Sequence, residues 1–346
     1  MAVGPLTTAG AGGTVNVGRE AAFGLRVGTV LGIALLAVLP VACLSEPKEP
    51  LRLGVNAWPP FELLYLAREK GFFDAEKVDV DLVDFSSYTG ILRAYHQENI
   101  DGFLATLNEV QIADNFHDQP GVVMVVDYSF GGDALVVRSG IDDLKALRGR
   151  RIAFEESALG SYELERLLEI GGLGRDEVVA VSRLPEEAEQ DFHRGIVDGV
   201  ITYEPGLGRL VRDERAHVLF STRDIPGEIV DVMAMRRSVL DRRAEEVRRM
   251  LRAWFRAVAY MNQHPQEAAA EMAKRQRVTV EEFLKGLQGA RVPDLDENRV
   301  LLGSGHIPGR LHEVAGRLGE FLVRRGLTKN TAPAADLIRP DFVDSL

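Results

Sequence analysis

Along this chain, short apolar runs alternate with longer stretches whose apolar positions recur at helical spacing. That is the pattern of strands and crossover helices in an α/β protein. The runs predict strands at 51–55, 78–85, 102–106, 121–128 and 133–137, then at 151–155, 178–181, 199–202 and 216–220, with a return strand at 232–235. Helices are predicted at 61–70, stopped by Gly71, and at 89–97, 157–170 and 187–194, with a short one at 144–149. Since helices follow the strands, the sheets are expected to be mainly parallel. After Asp231 the pattern is helical to the end. A single helix over 240–261 places Val247, Met250, Leu251, Trp254, Phe255 and Val258 on one face, which makes Trp254 a core residue. Thr279 and Glu282 have the spacing of a capping box, and Leu311, Val314, Leu318, Phe321 and Leu322 mark a last amphipathic helix. Ser304-Gly305-His306 reads as a turn. No internal repeat or low-complexity linker interrupts the pattern.

The segment ahead of the first strand is different in kind. An apolar run over 27–42 follows Arg19 and Arg26 and stops at Cys43, after which the chain turns polar at Ser45, Glu46, Pro47, Lys48 and Glu49. This resembles a bacterial lipoprotein signal peptide, cut just before a cysteine that then carries the lipid. The run is short for a membrane-spanning helix, although an uncleaved anchor is the competing reading. Pro40 stands where lipoprotein signals usually carry Leu, with Leu39 displaced by one. The expected organisation is a signal peptide over 1–42, lipidation at Cys43 and a linker over 43–50.

Composition narrows the partners. The 346 residues carry 41 Lys and Arg against 52 Asp and Glu, a formal charge of -11, so nucleic acid is not an expected partner. Cys43 is the single cysteine, which leaves no intramolecular disulfide and no cysteine-based metal site. None of the seven histidines (His96, His117, His193, His217, His264, His306 and His312) shows close metal-ligand spacing with another. No nucleophile elbow, HExxH or P-loop is present. The expectation is a non-enzyme with no metal and no cofactor.

Several segments, in order, carry a family resemblance: Trp58-Pro59; Ala67-Arg68-Glu69-Lys70-Gly71-Phe72-Phe73; Asp101-Gly102-Phe103-Leu104-Ala105-Thr106; the stretch from Leu144 to Ala153; Gly160-Ser161; and the stretch from Val197 to Pro205. Together they resemble the periplasmic binding proteins of ABC importers, in the nitrate/sulfonate/taurine and thiamine-precursor branch. The resemblance implies an α/β, type II-like two-lobed fold, each lobe a mainly parallel sheet flanked by helices. It puts lobe I at 51–130 plus 228–346 and lobe II at 131–227, with a ligand held between lobes that close over it. It also implies a monomer that hands a small molecule to an ABC permease and its ATPase. The place of action would be the periplasmic or extracellular face, with a lipid anchor at Cys43.

In parallel α/β sheets ligands sit at the carboxyl ends of strands. By that rule the candidate ligand-binding residues are Trp58, Ser86, Ser87, Tyr88, Thr106, Asn108, Ser157, Gly160, Ser161, Tyr203, Glu204 and Asp231. Plain structural roles compete for some of them. Trp58 could pack under its loop, Ser157 and Ser161 could be helix N-caps, and Glu204 could pair locally. Asp127, Asp133, Glu155, Glu156, Glu204 and Asp231 crowd the same strand ends, while no lysine or arginine lies over 58–65, 84–92 or 157–164. This favours a neutral or nitrogen-bearing ligand such as a pyrimidine over a sulfonate or nitrate. Two other readings remain: a ligand-sensing domain for a membrane signalling partner, and an enzyme of the pyrimidine-synthesis branch of the same fold. That branch carries a cysteine-rich motif absent here.

Overall fold

The structure, a computed structural model, describes residues 49–113, 117–304 and 307–346; Cys43 and the export segment lie outside the described residues. The first sheet begins with β1 (Leu51–Val55), α1 (Glu62–Glu69), α2 (Phe72–Glu76), β2 (Val80–Asp84), α3 (Tyr88–His96), β3 (Gly102–Thr106), α4 (Leu107–Ala113) and β4 (Pro120–Ser129). The chain then crosses to a second sheet formed by β5 (Asp133–Arg138), β6 (Arg151–Phe154), α5 (Ala158–Gly171), β7 (Val179–Ser182), α6 (Pro185–His193), β8 (Gly199–Tyr203), α7 (Gly206–Leu210) and β9 (Ala216–Ser221). It crosses back into β10 (Val230–Arg236). After that come α8 (Arg237–Arg242), α9 (Ala244–Gln263), α10 (Pro265–Gln276), α11 (Val280–Leu287), β11 (Ala290–Arg291), α12 (Leu295–Leu302) and α13 (Arg310–Arg324).

The two sheets share one topology. The first has the order β11-β4-β10-β3-β1-β2 and the second β7-β6-β8-β5-β9. In each, one strand arrives from the other lobe and inserts antiparallel between two that run alike: β10 between β3 and β4, and β5 between β8 and β9. Of the other pairs, β1–β2, β1–β3, β6–β7 and β6–β8 are parallel, as expected from the intervening helices, and the two-residue β11 joins the edge of β4 antiparallel. The repeat is one of topology and is not visible as a repeat in sequence. Its consequence is positional. Each crossing delivers the first residues of an inserted strand to the carboxyl ends of its neighbours.

Apolar runs explain the centre of the first sheet. β3, β4 and β10 are buried nearly throughout, and their near-continuous Val, Met, Ala and Leu match a sheet covered on both faces. Helix α9 packs on α1 and α2 and buries Val247, Met250, Leu251, Trp254 and Val258, all with at most 1% of their surface exposed. The reciprocal capping box at Thr279 and Glu282 starts α11 as the spacing predicts. All five apolar positions that mark α13 are buried.

The structure corrects the sequence reading in places. The helix predicted over 240–261 is two helices, broken where Arg243 leaves helical geometry (φ -127°, ψ 29°). Its side chain bonds Glu246 at 2.6 Å and the Glu49 carbonyl at 2.6 Å, so the break is made by a side chain with no glycine or proline to announce it. Inserted strands β5 and β10 run against the parallel expectation. The chain is not helical to its end: beyond α13 only the short turns Ala334–Leu337 and Asp341–Asp344 are helical. Gly303–Ser304 pairs antiparallel with Ile307–Pro308, while Gly305 and His306 of the predicted turn lie outside the described residues.

The outer edge of β4 is closed by a side chain. Asn298 is fully buried; its amide oxygen accepts from Val125 N at 2.7 Å and its nitrogen donates to Val125 O at 3.1 Å, replacing a neighbouring strand. Asn298→Ala leaves both peptide groups unpaired and is expected to cost about 2–4 kcal/mol in urea unfolding, and Asn298→Asp, which sets a buried carboxyl against the Val125 carbonyl, is expected to cost at least as much at pH 7.

Candidate functional site

The paired insertions bring acidic residues together between the lobes. Asp231, near the start of β10, lies directly opposite Asp127 on β4 and Thr106 at the end of β3, so their side chains share one face of the sheet. Asp133, the first residue of β5, lies opposite Tyr203 at the end of β8. Glu163 on α5 is buried nearby, with Asp133 among the charges that act on it. All of these carboxyls are more than nine-tenths buried.

Aromatic rings enclose the set. Trp58 follows β1, is 1% exposed, and donates its indole N–H to Asp127 at 3.0 Å. Its backbone N–H is held by the Asn56 side chain at 3.1 Å. Tyr203 meets Trp58 edge-on, with centroids 6.3 Å apart, and lies 5.8 Å from Tyr88. Gly132, on the first crossing, passes so close to the Trp58 ring that a Cβ there would collide with it and would lie 2.8 Å from Gly289 O. A chain of hydroxyls ties the two crossings: Gly131 N–H donates to Thr222 Oγ1 at 2.6 Å, Thr222 and Ser129 hydroxyls are 2.8 Å apart, and Ser129 Oγ donates to Asp133.

The lobes also grip each other's helix amino termini. Glu155, after β6, accepts from Thr89 N at 2.9 Å and Thr89 Oγ1 at 3.1 Å in the first turn of α3. Reciprocally, Glu109 on α4 accepts from Leu159 N at 2.9 Å in the first turn of α5. Ser87 and Ser157 cap the same helices, each accepting from the backbone N–H three residues on, at 3.1 Å. The helix ends that would serve an anion are therefore already engaged by carboxylates. Tyr162 on α5 packs edge-on against Phe321 of α13 at 4.6 Å, and Arg325 bonds Glu165 at 2.8 Å, which closes another margin.

Burial dominates the electrostatics. It raises Asp127 and Asp231 well above the ordinary carboxylate range, with neighbouring carboxyls adding to the rise. Asp133 is pushed up to about 7 by burial, against the hydrogen bond from Ser129. Glu109 also reaches about 7 for the same cause, partly offset by the Leu159 N–H. Burial and then the Asp133 charge raise Glu163, and burial raises Tyr88 and Tyr203. Several buried polar atoms at the site have no protein partner: Thr106 Oγ1, both amide atoms of Asn108, Asn56 Nδ2, Asp127 Oδ1, Asp231 Oδ1 and Glu155 Oε2. The cavity bounded by Tyr88, Glu155, Ser157, Glu163 and Tyr203 measures about 10 Å³, room for roughly one water.

Of the residues expected from sequence, Trp58, Tyr88, Thr106, Asn108, Tyr203 and Asp231 lie at or beside this buried set. Ser87 and Ser157 act as N-caps, and Gly160 packs on the Glu155 carbonyl. Ser161 sits half-buried within the first turn of α5, and Ser86 is exposed. Glu204 accepts from Gly208 N at 2.9 Å and lies at the margin. Asp127, Asp133 and Glu155 were flagged by sequence only as nearby charge. Asn56, Glu109, Glu163 and Thr222 had no signal beyond their place at strand ends or in the turn of helix that follows. Among the described residues no group of His, Cys, Asp and Glu is arranged to hold a metal ion. Nor is any described helix long and apolar enough to cross a membrane.

The profile of the NMT1-like family matches residues 45–276. The chain belongs to the NMT1-like family. Within reach of this NMT1-like chain is a Bacillus subtilis (strain 168) protein named for aliphatic sulfonate binding, 26% identical over 257 residues, covering 69% of this chain and 74% of that protein. A 4-amino-5-hydroxymethyl-2-methylpyrimidine phosphate synthase of Candida albicans (strain WO-1) is 23% identical over 247 residues, covering 66% and 71%. Among solved structures, the alkanesulfonate-binding protein SsuA from Xanthomonas axonopodis pv. citri, bound to MOPS, superposes with a TM-score of 0.71 at 16% identity, over 85% of this chain and 99% of that one. The two-lobed periplasmic-binding-protein fold is thus common to this NMT1-like chain and its structural neighbours.

A carboxyl that titrates higher when folded stabilises the fold at low pH and loses that contribution as pH rises towards its folded value. With Asp133 at about 7, the melting temperature of this NMT1-like protein is expected to fall by about 3 °C or more between pH 5 and pH 8. Asp133→Asn should flatten that profile in fluorimetric melts.

Proposed function

We propose that this protein is an extracytoplasmic solute receptor of an ABC importer, which binds a small nitrogen-bearing molecule between its lobes and delivers it to a permease. Residues 51–130 with 228–346 form one lobe and 131–227 the other, and the crossings act as the hinge. The observation that carries the ligand class is the interlobe set Asp127, Asp133, Asp231 and Glu163, enclosed by Trp58, Tyr88 and Tyr203. Carboxyls and aromatic faces suit amines, amidines and aminopyrimidines. They suit sulfonates and nitrate poorly, the more so because Glu109 and Glu155 engage the α5 and α3 amino termini. The binding residues would be Trp58, Tyr88, Thr106, Asn108, Tyr203 and Asp231 with the acidic set; Ser87, Ser157 and Gly160 shape the walls. Anchoring through a lipid on Cys43 would hold the receptor beside its permease, and the receptor works as a monomer without a cofactor.

The test is a thermal-shift screen of the full chain in mild detergent against 4-amino-5-hydroxymethyl-2-methylpyrimidine, primary amines, alkanesulfonates and nitrate. A nitrogen-bearing compound at 100 times its Kd should raise the melting temperature by about 5 °C or more. Saturable stabilisation by sulfonates or nitrate, with none by nitrogen compounds, would contradict the ligand class. The likeness to the pyrimidine phosphate synthase favours a second reading, an enzyme on this fold; conversion of a stabilising compound to product, followed by mass spectrometry, would select it.

A further inference from the structure

Asp231, Asp127 and Thr106 stand side by side across three strands, with Asp133 and Glu163 contributed by the other lobe. Among the described residues no lysine, arginine or histidine donates a hydrogen bond to any of these carboxyls; the donors that act on them are uncharged, Trp58 Nε1 on Asp127, Ser129 Oγ on Asp133 and the Tyr88 hydroxyl on Asp231. A second observation points to a ligand independently of the acidic set. Thr106 Oγ1, 1% exposed and in register beside Asp231, has no partner, and neither amide atom of the fully buried Asn108 has one. Native interiors rarely leave such atoms unpaired.

Carboxyls this close and this far from water cannot all be ionised, so the set holds protons. The other titratable groups facing it are Tyr88 on α3, Tyr203 on β8, Glu109 on α4, Glu155 after β6 and Glu204 after β8, none of them cationic. The nearby cations Lys285, Arg209 and Arg212 act on Glu204. The site can therefore accept positive charge only by giving up protons.

We propose that the cleft takes its ligand as a cation bearing two or more N–H donors, in exchange for protons held on Asp127, Asp231, Asp133 and Glu163. One proton passes to bulk water for each positive charge that enters, so the net charge of set and ligand together equals that of the empty set. This inference rests on the receptor reading of the same cleft. Affinity then rises with pH through the range in which the set titrates, and an uncharged analogue lacks that dependence.

The experiment is isothermal titration calorimetry on the full chain between pH 5.5 and 7.5, in two buffers of different ionisation enthalpy. The probes are 5-aminomethyl-2-methylpyrimidine, whose primary amine is cationic, and 5-hydroxymethyl-2-methylpyrimidine, which stays uncharged over this range because neither ring carries the amino group that would make its nitrogen basic. The amine is expected to release about one proton per molecule bound and to tighten about tenfold per pH unit up to neutrality, while the alcohol releases none. Asp133→Asn and Glu163→Gln should each weaken the amine about tenfold or more and lower the number of protons released on binding it. Equal binding of both probes with no proton release overturns the exchange and leaves the receptor reading standing. Binding of neither overturns both.

Discussion

Carboxyls buried between the lobes without a compensating cation set the terms for this molecule. Moving an ionised carboxylate out of water costs several kcal/mol even after relaxation, so such a set persists only if it is protonated, hydrogen-bonded or paired. Here Trp58 and Ser129 supply donors to Asp127 and Asp133, and Asp231 lies against Asp127. Most of what surrounds the set serves to position it. The crossings place Asp133 and Asp231 at equivalent points of two like sheets, and Gly132 lets the first crossing pass under the Trp58 ring.

The reciprocal grip of Glu109 on α5 and Glu155 on α3 adds a second constraint. Each lobe caps a helix of the other, so the closed arrangement satisfies amides that an open cleft would turn to water. Such bonds exchange one partner for another and contribute only about 1–3 kcal/mol each, small enough for hinge motion to break them. Closure is thus reversible in energy terms, as a receptor that must release its cargo requires. The cost of the buried carboxyls and the gain from the grip oppose one another, and on the proposed function it is this balance that a ligand shifts.

Much of this was legible in the sequence. Continuous apolar runs at 121–128 and 232–235 gave central strands, the Thr279/Glu282 spacing gave a helix start, and strand ends led to Trp58, Tyr88, Thr106 and Asp231. What could not be read were effects that exist only in three dimensions. Asp127 faces Asp231 because of strand register, and Glu109 reaches α5 because two lobes meet. Ser87 caps α3, a role its place after a strand did not announce, whereas for Ser157 the competing N-cap reading is the one the structure realises. The break at Arg243 had no helix breaker to mark it, and the inserted antiparallel strands hid behind a pattern that alternation alone reads as parallel.

The central claim is that the acidic interlobe set is where a ligand acts on closure. The most direct measurement is the distance distribution between spin labels on Asp81→Cys in β2 and Val179→Cys in β7, both exposed, in a chain carrying Cys43→Ser. The account predicts that a saturating nitrogen-bearing ligand narrows the distribution onto its closed component, and that Asp231→Asn abolishes the narrowing. A distribution unchanged at saturation, or narrowed equally in Asp231→Asn, would contradict it.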